Sequence, residues 1–217
     1  DIINTDIQMN VCIVMKLKLF HRTKIKNSML MEAQMKLQNL KLSNTGLLLY
    51  ENKHMKGSSI SRHYHDHYQI LYALEGEGRM NVDGRSFDFS KDQIVLIVPN
   101  SVHSIEATST LTVLVLAFSK PAFGTFSDLG VVKFIQKKSQ YFNLDVIRAS
   151  EVRQVLRKML FEQTNFDLLC SYSLPVYLCE LLVILVRLQT EQDSHDMNEL
   201  RAKQIRKYID RNYFENI

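Results

Sequence analysis

Cysteine is scarce in this sequence, and its placement excludes two common kinds of cysteine-based structure. Only three cysteines occur among the 217 residues, Cys12, Cys170 and Cys179. An odd number of widely separated cysteines does not give the paired spacing of a zinc site or of a disulfide framework. We therefore expect the chain to reside in a reducing cytosol.

Membrane-length apolar runs and export signals are also missing. The longest apolar run, Leu174 to Leu188, contains Glu180 and Arg187, and it is shorter than the roughly 20 apolar residues that a bilayer span needs. The run predicts a packing helix rather than a membrane span. The N-terminal region lacks the charged start and the small-residue cleavage site of a secretory signal.

The surplus of charge is small, so it gives no independent argument for nucleic-acid binding. Lys and Arg number 27 against 23 Asp and Glu, for a formal charge of +4. Much of this surplus lies in the first 30 residues, which include Lys16, Lys18, Arg22, Lys24 and Lys26. Basic proteins that bind nucleic acid usually concentrate such charge on one face of a folded domain.

The composition predicts one compact domain with appendages. Hydrophobic residues make up 46% of the chain and charged residues 23%, which is enough to bury a core and argues against disorder. Residues 1–28 show no sustained periodicity, and Met29 or Met31 is a better start than Asp1. We expect residues 1–30 to be a loose arm or upstream reading frame.

Residues 46–118 are predicted to form a β sandwich or barrel. Asp83-Gly84 is a two-residue hairpin signal, because a type I′ turn needs positive φ at both central positions. Gly76 and Gly78 mark a bend between two strand runs. Short β-rich runs alternate with turn signals here, as in all-β domains: Leu47–Tyr50, Ser59–His65, Gln69–Leu74, Arg79–Val82, Arg85–Phe89, Ile94–Val98 and Leu111–Phe118.

Histidines are concentrated in the segment His63-Tyr-His65-Asp-His67-Tyr-Gln69. Residues two apart on a strand share a face, so His63 and His65 point the same way, with Cα atoms about 6.6 Å apart. Gln69 reaches the same site only if the chain turns between Asp66 and Tyr68. His67 is predicted to face solvent or to support a ligating residue from outside the ligand set.

These residues resemble a known superfamily. Gly57-x5-His63-x-His65-x3-Gln69-x6-Gly76 matches the first motif of the cupins, with Gln69 where the family has Glu. Pro99-Asn-Ser-Val-His103 is similar to the second cupin motif, with its Gly replaced and its spacing shortened. Within the cupins, the order of motifs is most similar to the sensor domain of AraC/XylS-type transcription regulators.

The resemblance implies a cupin-like (double-stranded β-helix) barrel, mainly β plus α, that binds a small effector such as a sugar or a small carboxylate. We predict His65, Gln69, Tyr72, Arg79 and His103 as ligand-binding residues, with core packing as the alternative for Tyr72. No cofactor is required on this reading. A divalent metal is a further prediction, with His63, His65, Gln69 and His103 as ligands, although a neutral amide binds hard cations less well than a carboxylate does.

The region after Phe118 is predicted to be helical. Ser150 is a candidate N-cap for a helix that begins near Glu151. A second helix carries a leucine stripe at spacings of three and four residues, which either packs against the barrel or forms a dimer interface. In the resembled family this region commonly supplies the dimer interface, and the leucines are Leu174, Leu178, Leu181, Leu182, Leu185 and Leu188.

The C-terminal residues resemble the start of an AraC-type DNA-binding domain. Ile205, Tyr208, Ile209 and Tyr213 occupy the apolar positions of its first helix, and the base-reading helix of such a domain would follow. This gives five segments: an arm (1–30), a cupin-like sensor barrel (31–125), a helical dimerisation segment (126–190), a linker (191–198) and the first helix of a truncated DNA-binding domain (199–217).

The sequence therefore predicts the ligand-sensing and dimerisation half of a bacterial AraC-type transcription regulator, and not an enzyme. We expect it to be a cytoplasmic homodimer that contacts DNA through the C-terminal domain and does not associate with membranes. The alternative is a metal-dependent cupin enzyme, an oxygenase or isomerase, that uses the same histidines.

Overall fold

The fold was derived from a computed structural model that describes residues 36–37, 40–126, 130–135, 138–165 and 167–212. The predicted arm over 1–30 lies outside these residues. The strands of the described part are β1 (Lys36–Leu37), β2 (Leu47–His54), β3 (Ser59–Tyr64), β4 (Tyr68–Glu75), β5 (Glu77–Val82), β6 (Arg85–Ser90), β7 (Gln93–Ile97), β8 (His103–Ala107), β9 (Leu111–Phe118) and β10 (Gln140–Asn143).

Helical structure follows the barrel strands. A 3₁₀ segment covers Lys120–Phe126, and the α-helices are α1 (Gly130–Ile135), α2 (Val146–Asn165) and α3 (Cys170–Asn212). The strand β10 lies between α1 and α2 and returns the chain to the edge of a sheet, where it pairs with β7. The architecture is a cupin-like β barrel followed by helices, which confirms the fold class expected from the sequence.

The strands form two five-stranded sheets that face each other. One sheet has the order β1-β3-β8-β5-β6 and the other has the order β10-β7-β4-β9-β2. The alternating apolar residues of the strands divide into two cores. One core, which includes Leu71, Met80 and Val113, fills the space between the sheets. The other, which includes Ile70, Tyr72 and Leu116, lies between the second sheet and the helices.

The turn at Asp83-Gly84 confirms the hairpin prediction. Asp83 has φ of 50° and Gly84 has φ of 83°, as a type I′ turn requires. This turn joins β5 and β6, which pair in register from Val82–Arg85 to Glu77–Ser90. Three strands, β1, β8 and β10, are not predicted from the sequence, and each has five residues or fewer.

The start of α2 differs from the sequence prediction. Ser150 lies inside the helix and is exposed, whereas the helix begins at Val146. The backbone N–H of Arg148 donates to Oδ1 of Asp145 at 2.8 Å, which makes Asp145 the N-cap. An N-cap side chain, Asp or Ser, accepts from the backbone N–H two or three residues later in the helix. Asp145 does so, and Ser150 lies inside the helix, so the assignment of Ser150 as the cap is wrong.

The leucine stripe of α3 packs within the chain. The stripe lies in the core that the helices share with the second sheet, and the elements nearest to it are α2, the 3₁₀ segment and α1. Of the two alternatives that the sequence left open, the structure shows packing within the chain. By length and composition alone, the segment Cys170–Asp193 could cross a membrane. All six leucines are at most 7% exposed: Leu174, Leu178, Leu181, Leu182, Leu185 and Leu188.

Helix α3 continues through the region with linker-like composition. Residues 191–198 are helical. One uninterrupted helix therefore connects the predicted dimerisation segment to the predicted DNA-binding helix. Ile205 is 60% exposed. The side chains of Tyr208 and Ile209 and all of Tyr213 lie outside the described residues, and the role of this segment stays a prediction.

Candidate functional site

Three histidines from two separate stretches meet inside the barrel. His63 on β3 is paired directly with His103 on β8, and their ring centroids are 4.1 Å apart. His65 follows β3 and lies 4.8 Å from His103 and 6.3 Å from His63, measured between ring centroids. The chain turns between β3 and β4, as the sequence analysis required for Gln69 to join the group.

Hydrogen bonds to backbone carbonyls fix the tautomers of these three rings. Nδ1 of His63 lies 2.9 Å from the carbonyl oxygen of Ser61, and Nδ1 of His103 lies 3.0 Å from that of Ser101. Nδ1 of His65 lies 2.7 Å from the carbonyl oxygen of His67. A carbonyl oxygen only accepts, so each Nδ1 carries the proton and each Nε2 keeps a lone pair.

One of these lone pairs has no partner. Nε2 of His65 is buried and makes no hydrogen bond within the described part of the chain. An unsatisfied acceptor in a protein interior costs about 1–3 kcal/mol. The cluster therefore contains a buried nitrogen, Nε2 of His65, that can still accept a hydrogen bond.

Gln69 is oriented by a chain of polar contacts outside the three histidines. Nδ1 of His67 lies 3.3 Å from Oδ1 of Asp66 and Nε2 of His67 lies 3.3 Å from Nε2 of Gln69. The amide of Gln69 thus donates to His67. The ring of His67 stacks on that of His65 at 4.1 Å, and His67 is only 3% exposed. The prediction that His67 faces solvent is therefore wrong.

Burial favours the neutral form of two rings in the cluster, those of His65 and His103. Desolvation lowers the pKa of His65 to about 4 and that of His103 to about 3, because a protein interior disfavours the imidazolium form. Burial also lowers the pKa values of His54 and His67. At neutral pH the rings of His65 and His103 are therefore uncharged, and their Nε2 lone pairs are available.

The space enclosed beside the cluster is small. A cavity of about 70 Å³ is lined by His63, Gln69 and His103 together with apolar side chains of the inner core. His54, at the end of β2, also lines it and is 8% exposed. The sequence analysis misses His54 because this residue lies outside both cupin-like motifs.

Three of the predicted ligand-binding residues, His65, Tyr72 and Arg79, do not line this cavity. Tyr72 faces the helices, where its hydroxyl donates to Oδ1 of Asp92 at 2.5 Å and accepts from Arg153 at 2.9 Å. Arg79 points outward from the barrel and pairs with Asp88 at 3.6 Å. The assignments of Tyr72 and Arg79 to the pocket are wrong. For Tyr72 the reason is strand alternation: Gln69 and Leu71 face inward, so Tyr72 faces outward.

The donor set has the chemistry of a transition-metal site. Neutral imidazole Nε2 atoms, each held by an Nδ1–H donor bond to a carbonyl, are common metal ligands. In the described part of the chain, however, no three His, Cys, Asp or Glu side chains are already grouped to hold an ion. The residues fit a metal by donor type, and Gln69 supplies no negative charge.

Comparison with known proteins places this barrel in a family. The AraC-like ligand binding domain matches residues 44–164, more than half of the chain. The uncharacterized protein MJ1618 of Methanocaldococcus jannaschii is 34% identical over 62 residues, which cover 27% of this chain and 50% of that protein. The chain thus spans about half the length of this relative.

One solved structure shares the fold over most of the chain, and a second is similar over a shorter part. Apo ToxT from Vibrio cholerae has a TM-score of 0.50 at 13% identity, over 70% of this chain and 59% of that one. A cupin superfamily protein from Desulfitobacterium hafniense has a TM-score of 0.34 at 16% identity, over 38% of this chain and 74% of that one. The histidine-lined barrel and the family match lead to one conclusion: the chain belongs to the AraC-like ligand-binding domain family.

Proposed function

We propose that this chain is the effector-sensing part of a bacterial AraC-type transcription regulator. The observation that carries the proposal is the pocket inside the barrel, where neutral polar groups converge within an apolar core. Binding sites for small molecules have this composition, with a few fixed polar groups in apolar walls. The proposed contacts are Gln69 and His103, which line this pocket, and His65, whose ring is adjacent to that of His103.

The proposed output is a change in DNA binding. Helix α3 packs on the barrel through its leucines and continues without interruption to Asn212. A ligand that binds one arrangement of barrel and helix more tightly shifts the population toward that arrangement. The predicted helix over 199–217 would then present a DNA-binding domain differently in the two states.

We also propose a cytoplasmic homodimer, formed by residues other than the buried leucines. Large apolar side chains are exposed around the connection between α2 and α3, including Phe161, Leu168 and Tyr172. Exposed apolar patches of this kind mark interaction surfaces. Sedimentation of the protein over a range of concentrations tests this: we expect dimers, and a monomer at all concentrations would contradict it.

The regulator proposal is tested on the product of the complete reading frame that contains this chain. DNA fragments bound by that protein are selected from genomic DNA and their affinities are measured with and without candidate effectors. We expect at least one effector to change the affinity by about fivefold or more, the usual range of allosteric coupling. Specific DNA binding that no effector changes, or no specific binding at all, would contradict the proposal.

The second candidate is a metal-dependent cupin, favoured by the three fixed Nε2 lone pairs. His63, His65 and His103 would hold the ion with Gln69. A bound divalent ion would act as a Lewis acid toward an oxygen-containing ligand. The same ion could serve an enzyme, an oxygenase or isomerase, or could be part of the effector site.

Gln69→Glu tests this candidate. The substitution restores an anionic ligand, so we expect about tenfold tighter binding of Zn²⁺ or Mn²⁺ measured by calorimetry. Gln154→Glu, on the exposed surface of α2, makes the same charge change away from the pocket and should leave the affinity unchanged. Equal metal affinity for wild type and both variants would argue against a metal at this position.

A further inference from the structure

A groove at the open side of the barrel adjoins the histidine cavity. The edge strand β6 of one sheet and the edge strand β10 of the other border a groove of about 300 Å³. Phe87 of β6 and Tyr141 of β10 line it and contact each other, with ring centroids 4.8 Å apart. The floor includes Val82 and Val95, which belong to the core between the sheets.

Strand register places this floor directly beside the cavity. Val82 is paired with His103 and Val95 is paired with Leu71. Paired residues of antiparallel strands share a face of the sheet. Because His103 and Leu71 line the histidine cavity, the groove and the cavity are separated by the thickness of side chains only.

Size distinguishes the two spaces. Sites for small organic molecules have volumes of about 300–1,000 Å³. The histidine cavity, at about 70 Å³, accommodates an ion or a few waters, whereas the groove, at about 300 Å³, reaches this range. Larger grooves exist on the outer face of the first sheet and between α2 and α3, but they lie outside the barrel.

The groove carries a net positive charge, because the cations Arg85 and Lys138 share its lining with one acid, Asp83. Arg85 and Lys138 line it and neither makes an ion pair with a described residue. The carboxylate of Asp83 already accepts from the Ser101 hydroxyl at 2.6 Å and from the Val102 N–H at 3.0 Å. Asp88, the other nearby acid, pairs with Arg79 on the outer face.

We propose that this groove binds the body of the effector, and that the effector is a small organic acid with a flat apolar portion. Its carboxylate would be bound by Arg85 and Lys138, since both are free donors to an anion. Its apolar portion would lie against the contacting rings of Phe87 and Tyr141, which offer offset or edge-on aromatic contacts. This inference rests on the proposed effector-sensing function and names the ligand class and the entrance of that site.

Phenylacetate and its neutral amide, phenylacetamide, test the ligand class. They have similar shapes, so a preference for the acid reports the charge of the groove. We expect phenylacetate to bind the protein and phenylacetamide to bind about tenfold more weakly by calorimetry. Equal affinities, or no binding of phenylacetate, hexanoate or benzoate at about 10 mM, would overturn the proposal.

Two double variants locate the site. Arg85→Gln with Lys138→Gln removes the cations of the groove, and both side chains are exposed, so folding should be retained. We expect phenylacetate to bind this variant about tenfold more weakly. The matched control is Lys56→Gln with Arg62→Gln, which removes the same charge from exposed positions outside the groove and should not change the affinity. Equal losses in both double variants would overturn the proposal.

A fluorescence reporter gives an independent readout of position. The chain contains no Trp, so Phe87→Trp introduces a single indole into the groove. Phenylacetate should change its emission at the concentration at which calorimetry detects binding. Phe161→Trp, at a site that is 67% exposed on α2, should not respond. A response of both reporters, or of neither, would contradict binding in the groove.

Different outcomes contradict the regulator proposal and the groove proposal. If DNA affinity responds to an acid in the wild type and equally in the Arg85→Gln, Lys138→Gln variant, the regulator proposal holds and the groove proposal is wrong. If the acid binds in the groove and DNA affinity never changes, the groove proposal holds and the regulator proposal is wrong.

Discussion

His63 and His103 lie directly opposite each other on the neighbouring strands β3 and β8, with their rings 4.1 Å apart. Each ring donates from Nδ1 to the carbonyl two residues before it in the sequence, to Ser61 and to Ser101. The same local hydrogen bond on two strands sets both Nε2 atoms free. The pairing of the strands then brings these atoms into one pocket, and this is the arrangement on which both functional proposals depend.

Gly76 is expected to be the glycine that least tolerates a side chain. It has φ of +81°, and a Cβ there would lie 1.9 Å from the backbone oxygen of Thr110. Gly57 has φ of +80° but no atom within 4 Å of such a Cβ. Gly57→Ala should therefore cost only the left-handed backbone strain, about 1–2 kcal/mol. Gly76→Ala should cost clearly more or prevent folding, as measured by urea unfolding, and equal losses would contradict this steric argument.

The N-cap of α2 can be tested with one substitution and one control. Asp145→Ala removes the acceptor for the Arg148 N–H and should lower the free energy of unfolding by about 1 kcal/mol. Ser150→Ala changes an exposed residue in the helix interior and should be neutral or slightly stabilising, because Ala has the higher helix propensity. The reverse order of effects in chemical denaturation would show that the helix begins later than Val146.

The burial of the leucine stripe predicts a particular response to truncation. Leu181 is fully buried within the chain, so Leu181→Ala should destabilise the protein by about 2–5 kcal/mol. Val176→Ala on the same helix, where the side chain is 49% exposed, should have a small effect. Thermal unfolding at several protein concentrations is the measurement. A loss for Leu181→Ala that disappears at high concentration would indicate a leucine dimer interface instead.

Tyr72 ties the barrel to α2 through Asp92 and Arg153. Burial, followed by the hydrogen bond to Asp92, raises the pKa of Tyr72 to about 12. A pKa raised in the folded state means that its stabilising contribution is present below pH 10 and is lost as the pH rises through 12. Tyr72→Phe should cost about 1–3 kcal/mol at neutral pH, since Asp92 loses a donor.

The comparison variant for Tyr72 is Tyr172→Phe, at a position that is 73% exposed. It should leave stability unchanged at neutral pH. Absorbance titration at alkaline pH should detect one tyrosine fewer with the raised pKa in Tyr72→Phe than in the wild type. An unchanged high-pH titration in Tyr72→Phe would contradict the hydrogen bonds assigned to this hydroxyl.

Features that depend on residues close together in the sequence could be predicted from it. The turn at Asp83-Gly84 follows from backbone sterics, since positive φ at two consecutive positions favours this pair. The alternation of apolar residues gave most strands, and the spacing of the histidine motif, through its resemblance to the cupins, gave the barrel. These signals are local because φ, ψ and side-chain direction are set within a few residues.

Only the tertiary structure decided which surfaces and atoms meet. The leucine stripe of α3 was compatible with a partner chain or with the barrel, and the structure buries it within the chain, between the helices and the second sheet. Tyr72 and Arg79 were chemically suited to a ligand, but the alternation of β4 and the outward face of β5 direct them elsewhere. The groove between β6 and β10 depends on contacts between Phe87 and Tyr141. The physical reason is that burying apolar surface is favourable whichever apolar surface covers it. Long-range packing, and not local chain preference, therefore decides which surfaces meet.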